Sequence, residues 1–443
     1  MLRVDSRKVK PGDTFLALPG PYKDGHDYIE DAIDKGAACI IATHGDYSVK
    51  TIITEDTRTY LSNYLRELNL EKMEKIKLIG ITGTTGKTVT GDLIYQLLNN
   101  LNMKTAYIGT NGFCLDGKIR KISSSTPDLY ELYELIGEAI DNNCKVIIIE
   151  VSSKAVKQRH IEGLRFDIAI FTNFVAHLRK DKEEYLNTKI ELFKMLKRDG
   201  YAIINKKDSY YEYFSLPQNN NIYYGTADSN YPLKTINSNY ALTEFNLGNN
   251  TIKIPLIGPF NMYNYAPAFI SAKILGFADE SIVSATLSIH PTDGRFETIK
   301  YKEGLVIIDY AYTPNDVNTV IKETKKIAQG KIITIIGCGG ERRKDKRPLL
   351  GKIVTENSDF AIFTSDNPRH ENEEDIINDI TKELEKDNYI SIVSRKEAIK
   401  KGISMLKEKD ILLILGKGHE DYQIIGSDEF PFKDSKEVMK IIK

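Results

Sequence analysis

Short runs of apolar, mostly β-branched residues recur along this chain: Lys77 to Ile81, Val146 to Ile149, Ile168 to Phe171, Leu305 to Ile308, Ile332 to Ile336, Ala361 to Phe363 and Ile411 to Leu415. Each is followed within a few residues by Gly, Ser, Asn or Asp and then by a stretch of helical apolar spacing, the pattern of parallel α/β layers. Strands apolar at every position are covered on both faces. The charged stretch Glu71 to Lys77 marks one boundary, and Pro291-Thr292-Asp293-Gly294 breaks the chain before a new strand at Gly304. The pattern therefore predicts a small α/β module over 1–75, a large central α/β domain over 76–294 and a doubly wound, Rossmann-like domain over 295–443. Repeats and low-complexity tracts are absent from the sequence.

A chain of 443 residues exceeds what one hydrophobic core supports, in line with about three domains. With 61 basic and 62 acidic residues there is no global field to gather nucleic acid or a membrane surface. Anionic ligands must be held by local sites. Met1 to Lys10 is polar and charged, and no apolar run approaches the ~20 residues that span a bilayer. A cytoplasmic protein, monomeric, with no membrane or nucleic-acid partner, is expected. Cys39, Cys114, Cys144 and Cys338 lie far apart, which suits reduced thiols better than a disulfide framework or metal site.

The strand Lys77 to Ile81 runs into Thr82-Gly83-Thr84-Thr85-Gly86-Lys87-Thr88, and Gly91 to Leu101 continues with helical spacing. Glycines turn backbone N–H groups onto phosphate oxygens and the helix N-terminus adds positive potential. Lys87 suits the β and γ phosphates, and the Thr88 hydroxyl suits Mg²⁺, so the segment calls for ATP or GTP although its first glycine is displaced from the usual spacing. Gly83, Thr84, Thr85 and Gly86 complete the candidate cradle. The strand Val146 to Ile149 ends in Glu150-Val151-Ser152-Ser153, which puts a carboxylate at the sheet edge where open α/β folds bind ligands. The next strand ends in Phe171-Thr172-Asn173, followed by His177 and, on a helix, Tyr185 and Lys189. Taken alone, Glu150 also fits a solvated strand end, and His177 and Lys189 fit ordinary surface positions.

The ordered series of motifs resembles the Mur ligases, most closely the MurE-like type that joins the third amino acid to a UDP-muramoyl dipeptide. Asp5-Ser6-Arg7, Pro11-Gly12-Asp13 and Asp24-Gly25-His26-Asp27 look like that family's UDP-binding module, and Ser125-Thr126-Pro127 like its UDP-peptide loop. Glu150 to Ser153 with Arg159 is similar to the stretch that binds metal and substrate, and Tyr185 to Phe193 to the helix whose lysine is carbamylated. Gly258 to Asn264 resembles the adenine-side turn. Gly294-Arg295-Phe296-Glu297, Asp309-Tyr310-Ala311, Gly337 to Gly340, Lys346-Arg347-Pro348, Asp366-Asn367-Pro368-Arg369 and Gly416-Lys417-Gly418-His419-Glu420 follow in family order.

The resemblance implies an ATP-dependent ligase that activates the carboxylate of a UDP-linked sugar peptide as an acyl phosphate and joins it to a free amino acid, in peptidoglycan or pseudomurein synthesis. It implies ATP at Gly83 to Thr88, Asn264, Arg295 and Asp309. Two Mg²⁺ ions are implied among Thr88, Glu150, His177 and a carbamylated Lys189, an anionic oxygen ligand suited to a hard cation. UDP-substrate contacts fall on Ser6, Arg7, His26, Ser125, Thr126, Ser152 and Arg159. Amino-acid contacts fall on Asp366, Asn367, Arg369, Gly416 and Glu420, and the Asp366 to Arg369 form accompanies diaminopimelate in that family. Catalysis rests on Lys87, Glu150, His177 and Lys189.

The chain departs from the MurE pattern at Thr85, where the family has Asn, at Ala176, where an acidic residue precedes the His, at Arg179-Lys180-Asp181, and at Tyr312. It also lacks the usual leading helix. These departures leave room for the divergent pseudomurein peptide ligases or for an inactive nucleotide-binding paralogue, whereas the UDP-like N-terminal module argues against a related ligase acting on a folate-like carboxylate. A motor or kinase sharing the phosphate loop predicts neither the C-terminal domain nor the Asp366 to Arg369 motif.

Overall fold

The computed structural model describes residues 1–20, 23–175 and 181–442. The chain falls into two compact units, Met1–Tyr224 and Gly225–Lys443. His177 and the departures at Ala176, Arg179 and Lys180 lie outside the described residues.

The first unit begins with a four-stranded parallel sheet, β1 (Leu2–Arg3), β2 (Thr14–Leu16), β3 (Cys39–Ala42) and β4 (Lys50–Ile53), in sequential order. Phe15, Ile29, Ala32, Ile40 and Ala42 form its core. A helix, Thr57–Met73, capped by Asp56, leads to the larger sheet. There β5 (Lys77–Thr82), β6 (Thr105–Gly109), β7 (Gly112–Leu115), β8 (Lys118–Arg120), β9 (Val146–Glu150), β10 (Phe166–Phe171), β11 (Leu196–Asn205) and β12 (Asn220–Gly225) take the order β12-β11-β10-β5-β9-β6-β7-β8. The six strands from β12 to β6 in that order run parallel, and β7 and β8 are antiparallel. Every residue of β9 is buried, so both faces of the sheet are covered, as its apolar run requires. The phosphate-loop strand β5 lies between β9 and β10, which brings the C-terminal ends of three strands to one edge.

In the second unit β13 (Tyr231–Ser238), β14 (Thr243–Leu247) and β15 (Asn250–Ile254) form antiparallel pairs. A six-stranded sheet follows, built from β16 (Glu297–Tyr301), β17 (Gly304–Asp309), β18 (Ile332–Ile336), β19 (Phe360–Phe363), β20 (Tyr389–Ser391) and β21 (Ile411–Leu415), in the order β16-β17-β21-β18-β19-β20. All its pairs are parallel except β16 with β17. Alternate residues supply two cores. Leu305, Ile307, Leu413 and Leu415 pack with Ile321 and Leu350 on one face, and Val306, Ile308, Leu412 and Ile414 with Ile399 and Val438 on the other. Strand periodicity of two thus produces the doubly wound arrangement. A hairpin, β22 (Tyr422–Ile425) and β23 (Asp428–Pro431), turns through Gly426 at φ 61°.

Candidate active site

At the end of β5 the chain turns through Gly83 (φ 150°) and Gly86 (φ 82°) into the helix Lys87–Asn100. A Cβ at Gly83 would lie 1.9 Å from Thr172 Oγ1, so only glycine fits beside the neighbouring strand end. That strand end clasps the loop. Thr84 N donates to Asn173 O at 2.9 Å, Thr85 N and Oγ1 donate to Asn173 Oδ1 at 3.0 and 3.1 Å, and Thr172 Oγ1 and Asn173 Nδ2 donate to Thr85 O at 2.7 and 3.1 Å. The N–H groups of Thr84 and Thr85 are therefore committed to Asn173. The first turn of the helix Lys87–Asn100 presents its N–H groups outward, as helix starts do, and forms the anion-facing end of the loop. The departure at Thr85 is accommodated locally, because its hydroxyl joins the same clasp.

Two ammonium groups converge beneath this turn. Lys87 Nζ donates to Gly83 O and Thr84 O at 3.0 and 3.2 Å, and Lys189 Nζ donates to Gly83 O at 2.7 Å. Lys189 is only 2% exposed, and its ammonium lies 4.2 Å from the Tyr185 ring centroid. The helix Lys182–Lys194 thus delivers a buried amine to the phosphate loop, which its charged sequence alone did not distinguish from a solvated lysine.

Glu150 ends β9 opposite Ile81 in register and is buried. Its Oε1 accepts from the Tyr107 hydroxyl and from Thr110 N at 3.0 Å, and its Oε2 from Thr110 Oγ1 at 3.0 Å. Burial and the adjacent Glu150 carboxylate push the Tyr107 hydroxyl well above the usual phenol range, so it stays a donor. Three bonds leave lone-pair capacity on Oε2. One carboxylate oxygen and the Thr88 hydroxyl fit a Mg²⁺ ion that keeps waters and takes its remaining ligands from substrate phosphates. Among the described residues no group of three His, Cys, Asp or Glu converges on a cation. Tyr107 and Thr110 went unread in the sequence, since nothing in the apolar β6 signals that it buttresses a carboxylate on β9.

The expected UDP-substrate residues all lie in this unit. Thr126 Oγ1 donates to Glu150 O at 2.7 Å and accepts from Ser152 N at 3.2 Å, which ties the Ser125-Thr126 loop to β9. Ser152 caps the helix Ser153–Lys157. Ser6 and Arg7 start the N-terminal module, where Arg7 pairs with Asp5 at 2.9 Å. His26 Nδ1 meets Asp24 Oδ1 at 2.6 Å, and its Nε2 accepts from Thr43 N at 3.1 Å, which fixes the Nδ1–H tautomer. Arg159, in the left-handed region at φ 59°, spends its guanidinium on Asp56, on Thr59 Oγ1 at 2.6 Å and on Glu162 at 2.6 Å. It pins the Asp56-capped helix to the central sheet. An anionic substrate would have to compete with two carboxylates for it.

In the second unit Asn264 donates to Asn261 Oδ1 at 3.2 Å on the helix Asn261–Ile274. Asp309 accepts from Phe296 N and Ala311 N at 2.8 Å each, so it shapes the Arg295 turn. Burial raises its carboxyl, opposed by Arg295 nearby. The Arg295 guanidinium lies 4.5 Å from the Tyr310 ring centroid, and its Nε has no hydrogen-bond partner among the described residues. Gly294 and Gly418 cross so closely that a Cβ at either would strike the other's segment, at 1.9 Å from His419 N and 2.6 Å from Gly294 O.

The expected amino-acid residues converge within this unit. Asn367 Oδ1 accepts from Lys417 Nζ and Ile424 N at 3.0 Å each, and its Nδ2 donates to Glu420 Oε2 at 2.9 Å. Arg369 Nη1 donates to Gly340 O at 2.9 Å and Asn367 O at 3.3 Å. A Cβ at Gly416 would lie 2.7 Å from Asp366 Oδ2, so this glycine makes room for a buried carboxylate. Burial raises the Asp366 carboxyl, opposed first by Lys417. Arg342 Cγ and Arg369 Nη1 both border Gly339, within 3.5 and 3.2 Å of a Cβ built there.

Comparison with known proteins agrees with this layout. Three family profiles match: the Mur ligase family catalytic domain over residues 1–81, the Mur ligase middle domain over 81–272 and the Mur ligase glutamate ligase domain over 294–418. UDP-N-acetylmuramoyl-L-alanyl-D-glutamate--2,6-diaminopimelate ligase 1 of Clostridium acetobutylicum is 35% identical across 100% of this chain and 94% of its own. The corresponding ligase of Aquifex aeolicus is 36% identical across 100% of this chain and 93% of its own. A solved structure of a ligase of that name superposes with a TM-score of 0.73 at 29% identity, covering 100% of this chain and 94% of the other. A pseudomurein peptide ligase type C from Methanothermus fervidus shares the fold, with a TM-score of 0.55 at 17% identity over 93% of each chain. The chain belongs to the Mur ligase family, enzymes of three-domain α/β architecture that form amide bonds at the expense of ATP.

Proposed function

We propose that the protein adds 2,6-diaminopimelate to the D-glutamyl carboxylate of UDP-N-acetylmuramoyl-L-alanyl-D-glutamate. Its 34–36% identical relatives carry that activity in their names. One observation carries the choice of amino acid: Asn367 lies between the Arg369 guanidinium and the Glu420 carboxylate, bonded to one through its backbone and to the other through its side chain. A rim with a cation and an anion a residue apart suits a distal end that bears both a carboxylate and an ammonium, as diaminopimelate does. Arg369 matches the carboxylate and Glu420 the ammonium.

The γ-phosphate of ATP passes to the substrate carboxylate and ADP leaves. The amine of diaminopimelate then attacks the acyl carbon, phosphate departs, and the amine proton goes to solvent or a nearby base. Lys87 and the N–H groups at the start of the Lys87–Asn100 helix neutralise charge that grows on the transferred phosphoryl group. Bound Mg²⁺ supplies further charge neutralisation, with Glu150 and the Thr88 hydroxyl as the groups that would hold it and His177 assigned by family resemblance. Lys189 is the residue for carbamylation. A carbamate keeps one N–H, enough for the Gly83 bond, and turns a buried cation beside the phosphates into an anion suited to a metal. Ser6, Arg7 and His26 are assigned to the UDP end of the substrate, and Ser125, Thr126, Ser152 and Arg159 to its peptide end.

The test is ADP release in the presence of the UDP-dipeptide and either diaminopimelate or lysine, with products weighed by mass spectrometry. Product with diaminopimelate and little with lysine is expected. Turnover of ATP that ignores both substrates would rule the reading out.

A further inference from the structure

Lys417 is fully buried, with 0% of its side chain exposed, at the end of the central strand β21. A buried ammonium is stable only when its charge and all its donors are matched. Its ammonium donates to Asn367 Oδ1 at 3.0 Å and Glu420 Oε2 at 3.1 Å, lies 5.5 Å from the Tyr422 ring centroid, and is the charge that most favours the ionised form of Asp366. One of these partners, Glu420, is the residue matched to the distal ammonium in the proposed function, and Asn367 lies between it and Arg369; the inference rests on that reading.

The bonds have a direction. Asn367 Oδ1 is fixed by two donors, Lys417 Nζ and Ile424 N, so its amide nitrogen must face Glu420. Glu420 Oε2 then receives both Asn367 and Lys417, whereas among the described residues Oε1 receives the Tyr310 hydroxyl alone, at 3.2 Å. Burial and the Glu420 charge push the Tyr310 hydroxyl up, so it remains a donor. Oε1 is the oxygen with capacity left for a ligand. We propose that Lys417 is a positioning residue for amino-acid recognition: it fixes the Asn367 amide and saturates one oxygen of Glu420, so that the other meets the distal ammonium of the incoming diamino acid.

The experiment compares kcat/KM for diaminopimelate and for 2-aminopimelate, which lacks the distal amine, in the wild type and in Lys417→Met. The wild type should favour diaminopimelate on the order of 10⁴-fold, as a site built to bond a polar group does. In Lys417→Met the preference should collapse to about threefold, through KM for the amino acid rather than kcat or KM for ATP. A merely structural role would weaken both amino acids alike and leave the ratio intact, and that result overturns the proposal. A wild type indifferent to the distal amine overturns the reading of Glu420 itself, a separate outcome. If the methionine variant melts early, Lys417→Gln, which removes the charge but keeps a donor, is read the same way.

Discussion

Removing the carboxylate of Asp434 should destabilise the second unit more than almost any other single change there. Arg395 and Asp434 are both 0% exposed at their side chains, and they form two parallel bonds, Nε to Oδ1 at 2.8 Å and Nη2 to Oδ2 at 2.7 Å. Nη2 also donates to Leu415 O at 3.0 Å, while Nη1 has no hydrogen-bond partner among the described residues. Each residue opens a helix, Arg395–Met405 and Asp434–Ile442, and a cation at a helix start opposes the helix dipole unless an anion offsets it. Asp434→Ala strands a buried guanidinium, at a cost of about 3–5 kcal/mol. For a domain of this size each kcal/mol lowers Tm by about 2–4 °C, so a fall of roughly 6–20 °C is expected. The chain has no tryptophan, so calorimetry is the natural readout. The double variant Arg395→Met, Asp434→Leu should recover to within about 1–2 kcal/mol of the wild type, because no charge is left buried. A loss below about 1 kcal/mol in Asp434→Ala would refute this account of the pair.

Asn173→Ala removes the acceptor for Thr85 N and Oγ1 and one donor to Thr85 O. KM for ATP should rise roughly tenfold with the melting temperature little changed, and an unaltered KM would show that the loop holds its shape without the clasp. Lys189→Ala should abolish product formation, with partial rescue by small carboxylic acids if the carbamate forms; full activity in that variant would remove Lys189 from the site. Burial pushes the thiols of Cys114 and Cys338 up to about 12 and of Cys144 to about 11, from an ordinary value of 9.0. These three should resist alkylation at pH 8 in the folded protein. Because their folded values exceed the unfolded one, the stability they contribute is intact below pH 9 and declines from there through about 12. A urea midpoint that rises across that window would contradict the assignment.

The alternation of apolar runs and turns was enough to place the strands, because a strand buried on both faces has no polar position to blur it. All seven expected runs are strands, Ile332–Ile336 and Ile411–Leu415 with the same ends and the other five with one or both ends shifted by a residue or two. The glycine turn from β5 into the helix Lys87–Asn100 was equally legible, since Gly83 is forced by close approach and both Gly83 and Gly86 by positive φ. The groups that hold the site were not. Tyr107 lies 43 positions from Glu150, and Lys417 lies 50 from Asn367, so no local spacing links them. The motif that singles out Arg159 as a substrate contact likewise gives no sign of its bonds to Asp56 and Glu162, the first of them 103 positions away. A motif names the residue type that a position requires, whereas the partner that orients it is set by topology.

The sheet of the second unit places β21 between β17 and β18, although β17 and β18 are successive strands of that sheet in the chain and β21 is its last. During synthesis, therefore, the middle of this sheet stays open until Ile411–Leu415 has left the ribosome. Until then β17 and β18 each present a bare edge of unpaired backbone groups, which invites pairing with another nascent chain. A product that stops short of Ile411 should accumulate as aggregate, whereas one that ends after Leu415 can close the sheet and seal both edges at once.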